Sequence, residues 1–463
     1  MNNMMTLSQA LPWLEGARLV GTGDVAFARV HTDTRTIEPG DLFVALRGER
    51  FDANDFLKEA KAKGAVAAIC QGEQAAARLQ EAGLSGLVVM DAKLALAALA
   101  TGWRAQFKLP LIAVTGSNGK TTVTQMIAAI LRAYKPQACL ATQGNLNNDI
   151  GLPLTLLKLN ANHRAAIIEM GMNHPGEIAY LTRIARPTVA VVTNAQRAHL
   201  AGMGTLETIA TEKGSVFMGL SKPGVAVINV DDDWADLWRA QAANRDVMTF
   251  SFEQPADVSG SFQGHGLENQ LSISAKGETV LVALALPGAH NARNALGAAT
   301  AALAAGVALS AVRDGLLAFR GIKGRLQRRS GLNGATLLDD TYNANPDSVR
   351  AGIDVLAATV GKKILVLGDM GEIGEMTGQF HDEIGGYAKS QGVDMLLAFG
   401  ESSALAAHNF GAGGQHFKKI ENLIEVLSNE LTTETTVLIK GSRFMRMERV
   451  ADAVSAPVTE GSK

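Results

Sequence analysis

The chain of 463 residues has only two cysteines, Cys70 and Cys139. They fit no metal-ligand spacing and make no disulfide framework, which suits a reducing compartment, and both read as small buried apolar residues. No stretch of about 18 apolar residues runs without a charge, so no membrane span is expected. The first residues, MNNMMTLSQALPWLEG, lack the basic start and apolar core of a secretion signal. Neither sign of charge dominates, since 43 Lys and Arg face 45 Asp and Glu with no long run of either. That balance leaves no electrostatic footprint for nucleic acid or an anionic membrane and points to small-molecule partners for a cytoplasmic protein. No internal repeat of about 20 to 50 residues and no low-complexity linker interrupts the chain.

What is present is length for about three domains at ~150 residues each. Residues 1–89 read as a small α/β unit of short strands and one or two helices, with turn signals EPGD at 38–41 and RGER at 47–50. Over residues 90–325 the apolar runs LIAVT (111–115), AAIIEM (165–170) and TVAVVTN (188–194) alternate with helical stretches, the pattern of a parallel sheet with crossovers. Over 326–463 the alternation restarts with TLLDD, KILVLGD, MLLAFG and TTVLIK, without a G-x-G-x-x-G. The expected fold class is α/β in three domains: a small N-terminal unit, a central P-loop-type parallel sheet, and a C-terminal Rossmann-like doubly wound unit.

Between LPLIAV and VTQMIAAILRAY stands TGSNGKTT, residues 115–122. Gly116 and Gly119 can take the tight, partly left-handed backbone that turns several N–H groups inward, and the following helix adds its positive end. Lys120 then reaches the β and γ phosphates and Thr121 offers a hydroxyl to Mg2+, with Thr115, Ser117, Asn118 and Thr122 completing the loop. The loop departs from G-x-x-x-x-G-K-[ST] in that Val114 occupies the first glycine position. With a strand before it and a helix after it, ATP is the expected ligand, against an ordinary glycine-rich turn.

Open parallel sheets bind ligands beyond the carboxyl ends of their strands. Glu169 ends the run AAII before the loop MGMNHPGE, where its carboxylate either reaches Mg2+ on the nucleotide or is a solvated strand-end acid. His199 follows TVAVVTN and the turn AQRA at the same edge, for metal or phosphate contact or for a structural hydrogen bond. In TLETIATEKGSVF the apolar positions Leu206, Ile209, Ala210, Val216 and Phe217 recur at helical spacing, and Lys213 falls on their face. A lysine pointing inward must snorkel, pair with an acid, or cease to be an ammonium.

GSNGKTT, Glu169, His199 and Lys213 occur in the order and approximate spacing of the Mur ligase family, ATP-dependent enzymes that build the cytoplasmic peptidoglycan precursor, and the chain resembles that family over nearly its whole length. The resemblance implies that the loop binds ATP, that Glu169 and His199 bind Mg2+, and that Lys213 is carbamylated by CO2 and carries a negative charge near the metal. HTDTRTIEPGDLFVALRGERFDANDF looks like the family's UDP-sugar domain, which implies Thr34, Arg35, Arg50 and Asn54 around the uridine or diphosphate. LPGAHNARNALGAA (286–299) resembles the segment whose asparagine reads adenine, implying Asn294 with His290 and Asn291 nearby. Arg325, at the join to the third domain, would meet ATP phosphate after closure, and Asp340, Asn343 and Asn345 would reach the ribose or base. The run that holds them also caps the next helix through Asp347 or Ser348.

GNLNNDIGLPLTLL (144–157), IIEMGMNHPGEI (167–178), DDTYNANPDS (339–348) and VLGDMGEIGE (366–375) are similar to the branch of the family that adds D-alanyl-D-alanine to the UDP-muramoyl tripeptide. The D-N-P-R motif of the branch that adds the diamino acid is absent. Asn145, Asn147, Asn148 and Asp149 would lie by the UDP-muramoyl group, or make an Asx-rich turn alone. Lys440 and Arg443 of KGSR either neutralise the carboxylate of D-alanyl-D-alanine or form a basic strand-to-helix turn. The implied enzyme is a monomer that phosphorylates a peptide carboxylate, closes its C-terminal domain against water and lets the amine attack. A folylpolyglutamate-type or other Mur-type ligase stands as the alternative, against which TDTR and DDTYNANP argue. A nucleotide-binding switch without ligase activity is another.

Overall fold

Apolar runs that alternate with helices bury both faces of a parallel sheet, and here they sort into three main sheets in the computed structural model, which describes residues 3–457. The first has five strands in the order Arg18–Val20, Ser85–Val89, Ala67–Gln71, Asp41–Val44 and Arg29–His31, parallel except for the antiparallel edge strand Arg18–Val20. The helix Ala92–Ala105 follows, N-capped by Asp91, whose carboxylate accepts from the N–H groups of Lys93 and Leu94. Its Leu96 and Leu99 are buried in one cluster with Leu42 and Leu87 of the first sheet and Leu111 and Ala113 of the second. A continuous core therefore fixes the first sheet against the second.

The second sheet has nine strands. Cys139–Ala141, Ala165–Glu169, Leu111–Thr115, Val189–Val192, Val225–Asn229, Asp246–Ser251 and Val258–His265 lie parallel in that order, and Glu268–Ala275 and Glu278–Leu284 extend it as an antiparallel meander. In the meander only alternate residues, such as Leu271, Ile273 and Ala275, are buried. Its strands lie beyond the three runs that mark the sheet in the sequence, and although residues 280–286 read VLVALAL, their burial alternates. Cys70 is buried, and burial pushes its thiol up to about 12, whereas Cys139 on the edge strand is only partly covered, contrary to expectation.

The third sheet runs Gln327–Ser330, Thr336–Asp340, Thr435–Lys440, Lys362–Gly368, Met395–Phe399, Gly414–Phe417, with only the first pair antiparallel. Separate apolar clusters on its two faces make it doubly wound. Two features of strand order position a site. Leu111–Thr115 lies between its neighbours with Glu169 opposite Val114 and Val192 opposite Thr115, so three strand ends converge where the connection order reverses. The last strand in sequence inserts beside Thr336–Asp340 and sets Lys440 opposite Asp340. Among the described residues no helix is long and apolar enough to cross a membrane.

Candidate active site

The strand Leu111–Thr115 is wholly buried and leads into the loop that precedes the helix Lys120–Tyr134. Gly116 has φ +144° and a Cβ there would meet Thr193 Oγ1 at 1.8 Å; Gly119 has φ +82° and its Cβ would meet Asn294 Oδ1 at 2.4 Å. Glycine is required at both. The segment after Val189–Val192 holds the loop: the N–H groups of Ser117 and Asn118 donate to Asn194 O and Oδ1, and Ser117 Oγ donates to Gln196 O while accepting from Gln196 N–H. Lys120 Nζ donates to Gly116 O at 2.7 Å and Ser117 O at 3.1 Å. Burial lowers its pKa, and the Glu169 carboxylate opposes that. Ser117 to Thr122 line a cavity of about 920 Å³. Thr115 stays outside the lining, its hydroxyl donating to Met170 O at 2.9 Å.

Glu169 is buried and accepts from Asn147 Nδ2 at 2.7 Å through Oε1, while its Oε2 has no partner among the described residues. An orphaned carboxylate oxygen beside a phosphate-type loop fits a hard divalent cation. Among the described residues no three His, Cys, Asp or Glu cluster as a ready metal site, so Mg2+ would depend on further ligands such as Thr121, phosphate oxygens and a modified lysine. His199 lines the cavity with Nδ1 3.0 Å from Glu372 Oε2, and that contact holds the Glu372 carboxyl below its ordinary range.

Lys213 lies in the helix Leu206–Met218, where Ile209, Ala210, Val216 and Phe217 are buried as expected. Leu206 is not, since it opens the first turn and is 37% exposed. Lys213 itself is 1% exposed, which excludes snorkelling. Among the described residues it has no hydrogen-bond or ion-pair partner; burial, reinforced by the charge of Lys120, pushes its pKa well below the ordinary value. The charge of the neighbouring Glu212 is the smallest influence and opposes this; its carboxylate accepts from the N–H groups of Gly176 and Ile178. A lowered pKa favours the neutral amine, the form that adds CO2. As an unmodified side chain it stands outside the cavity lining.

From the third sheet come Asp340, Asn343, Asn345 and Lys440, all lining the same cavity. Asn345 is the N-cap of the helix Pro346–Ala357, in a capping box with Ser348, so Asp347 is not the cap. It also exchanges amide hydrogen bonds with Asn118, at 3.2 and 2.8 Å. Lys440 Nζ donates to Asp340 Oδ2 at 2.5 Å and Asn343 O at 2.9 Å, which leaves its charge already matched. Arg443 stands outside the lining, paired with Glu448 and 62% exposed, its guanidinium 5.9 Å from the Tyr342 ring centroid. Arg325 lines the cavity with its guanidinium 4.0 Å from the Tyr342 ring centroid. Asn294, His290 and Asn291 line it from the helix Ala289–Ala304, and burial holds the His290 imidazole down at about 4.

Of the residues assigned to the sugar nucleotide, Asn147, Asn148 and Asp149 reach the cavity. Asn148 Oδ1 accepts from Gly151 N–H at 2.8 Å and Asp149 pairs with Lys93 at 2.8 Å. Asn145 is exposed and outside it. Thr34, Arg35, Arg50 and Asn54 are not brought there. Arg35 pairs with Asp33, and Asn54 is buried with its amide donated to Asp52 and to Gln71 O. The lining also contains Thr193, Asn194, Gln196, Asp232, Arg293 and Glu372, which sequence reasoning passed over. Burial raises the Asp232 carboxyl to about 6, and the acidic run VDDDW is the signal that could have found it.

The chain matches the model of the Mur ligase middle domain over residues 114–302, of the Mur ligase glutamate ligase domain over 324–443, and of the Mur ligase family catalytic domain over 27–104. It is 40% identical over 460 residues to the UDP-N-acetylmuramoyl-tripeptide--D-alanyl-D-alanine ligase of Escherichia coli, covering 97% of this chain and 98% of that protein. Its structure is similar to MurF from Acinetobacter baumannii, with a TM-score of 0.89, 34% identity, and coverage of 97% and 98%. It is also similar to MurF ligase from Thermotoga maritima in complex with ADP, with a TM-score of 0.79, 26% identity, and coverage of 92% and 96%.

Proposed function

The chain belongs to the Mur ligase family, and we propose that it joins D-alanyl-D-alanine to UDP-N-acetylmuramoyl-tripeptide with consumption of ATP, giving the UDP-muramoyl-pentapeptide precursor of peptidoglycan. One observation carries this reading: the nucleotide loop, the Asn147–Asp149 turn and the Asp340–Asn345 run face a single cavity of about 920 Å³. Three reactants that must meet need such a shared space. Residues 1–89 serve the UDP-sugar, with Thr34, Arg35, Arg50 and Asn54 at the uridine or diphosphate and Asn145, Asn147, Asn148 and Asp149 at the muramoyl group. Residues 90–325 hold ATP, and 326–463 bring the amine. The enzyme works as a cytoplasmic monomer.

A peptide carboxylate does not acylate an amine at neutral pH. Transfer of the γ-phosphoryl group of ATP makes it an acyl phosphate and releases ADP. Lys120, leaving the carbonyls of Gly116 and Ser117, and the inward N–H groups of the loop offset the repulsion between two anionic reactants. Thr121, Glu169, His199 and a carbamylated Lys213 would hold Mg2+, which would supply charge neutralisation at the phosphates. The free amine of D-alanyl-D-alanine then attacks the acyl carbon; the C–N bond forms, a proton leaves nitrogen, and phosphate departs. Asn294 faces the adenine, Asp340, Asn343 and Asn345 the ribose or base, and Arg325 the phosphates. The hydrogen bonds between Asn118 and Asn345 keep the third unit over the loop, where water would otherwise hydrolyse the acyl phosphate.

The test mixes purified protein, ATP, Mg2+ and UDP-muramoyl peptides of each length with candidate amines and measures phosphate release. Release that requires both the tripeptide and D-alanyl-D-alanine is expected. Release with another peptide length, with glutamate, or without any amine refutes the assignment.

A further inference from the structure

The segment Asn194–His199 alternates between two neighbours. Asn194 and Gln196 hold Ser117 and Asn118 of the nucleotide loop. Arg197 and His199 turn to the third unit. The Arg197 N–H donates to Asp347 Oδ2 at 2.8 Å, its Nε and Nη2 donate to Asp347 Oδ1 at 3.0 and 2.7 Å, and its Nη1 reaches Glu383 Oε2 at 3.0 Å. The guanidinium lies 5.2 Å from the centroid of the Phe380 ring. Asp347 starts the helix Pro346–Ala357 and Glu383 lies in the helix Thr377–Ser390, so one arginine of the central unit joins two helices of the third. Its side chain is only 21% exposed, which protects these pairs from the screening that weakens surface ion pairs.

The same strap carries His199. Its Nδ1 faces Glu372 Oε2 at 3.0 Å, and Ala201 N–H meets Glu372 O at 3.3 Å. His199 has φ +59° and Glu372 φ +61°, a left-handed conformation that costs a residue with a side chain and persists where neighbours impose it. The imposing neighbours lie across the interface between the two units.

We propose that Arg197 is a positioning residue that ties docking of the C-terminal unit to the shape of the nucleotide loop: Asp347 and Glu383 grip the guanidinium, and the strap passes that constraint to Ser117, Asn118 and His199. The proposal rests on reading the cavity as the ATP site. A guanidinium suits the task because its planar fork serves two carboxylates at once, where an ammonium is a point charge. Without it, Asp347 faces the strap with no cation, and Glu383 keeps only Arg350, whose Nη1 donates to its Oε1 at 2.8 Å.

Full-length wild type is compared with Arg197→Ala, Arg197→Lys and Glu383→Gln by affinity for a fluorescent ADP analogue, by small-angle scattering with a non-hydrolysable ATP analogue, and by steady-state kinetics in each substrate. Arg197→Ala is expected to lower kcat about 10-fold or more, weaken the ADP analogue several-fold and enlarge the scattering envelope, with the KM for the UDP-tripeptide unchanged. Arg197→Lys recovers part of each loss, and Glu383→Gln moves the same readouts less. A folded Arg197→Ala protein with kcat and ADP affinity near wild type overturns the proposal, as does an equal loss in the KM for the UDP-tripeptide. Should Arg197→Ala not fold, Glu383→Gln decides, and unchanged ADP affinity and scattering there overturn it. Failure of wild type to bind the ADP analogue sinks the nucleotide reading and the proposal with it; tight wild-type binding with unaffected variants sinks the proposal alone.

Discussion

A lysine 1% exposed, without an acceptor and beside a second lysine's charge, has little reason to keep its proton. The carbamylation proposed for Lys213 would replace that amine with an anion that Mg2+ could pair. Lys213→Ala should therefore be nearly inactive and partly restored by formate or acetate at high concentration, and wild-type activity should fall in CO2-depleted buffer. An intact-mass spectrum of active protein showing an unmodified lysine would refute it. His290 and Asp232 present a second residue-scale test, because burial shifts them in opposite senses. The folded pKa of His290, about 4, lies below its unfolded value of about 6.5, so the unfolded chain binds more protons in that window and stability falls on acidification. The folded pKa of Asp232, about 6, lies above its unfolded value of ~3.9, so stability from that group falls as pH rises through the same window. Asp232→Asn should deepen the loss of Tm between pH 6 and 4 relative to wild type, and His290→Gln should lessen it. Parallel curves of Tm against pH for all three proteins would contradict both shifts.

Among the elements, the nucleotide loop is the most local in its logic. Its glycines, its lysine and the helix behind it were legible because each follows from backbone sterics within a few residues. The φ of +82° at Gly119 and the approach of Asn294 Oδ1 to within 2.4 Å of a Cβ there add a reason that the sequence did not show. Gly119→Ala should accordingly weaken ADP at least about 10-fold, as judged by equilibrium binding, because the loop must leave the geometry that aims its N–H groups at phosphate. Unchanged ADP affinity in the folded variant would show that the loop does not cradle the nucleotide. The inward face of the helix Leu206–Met218 was also legible from its period, apart from the exposed Leu206. The meander from Val258 to Leu284 was not read as part of the second sheet, since its first two strands mix polar and apolar residues and the apolar run at 280–286 is antiparallel to a neighbour that no crossover helix separates from it.

Across the whole molecule, separation of labour can be read from distance to the cavity. Arg35 sits in the first unit, its side chain 85% exposed and paired with Asp33, and does not reach the nucleotide loop. Arg35→Ala should raise the KM for the UDP-tripeptide several-fold while leaving that for ATP within about two-fold. Equal effects on both substrates would remove the case for assigning this unit to the sugar nucleotide. What the sequence determined by itself is whatever chain-local physics decides: three runs of alternating strands and helices, a phosphate-type loop, an acid at the next strand's end and an inward lysine. Only the tertiary structure decided the pairings that assemble the site. Asp340 meets Lys440 from 100 residues away, Arg197 meets Asp347 across 150 and Glu383 across 186, and Asn118 meets Asn345 across 227. Apart from Glu383, in the middle of the helix Thr377–Ser390, each of these residues stands in a polar turn or near a strand or helix end, where a charge or amide is compatible with plain solvation. Its partner is chosen by strand insertion and by docking of one unit on another, and neither leaves a period or a spacing in the chain.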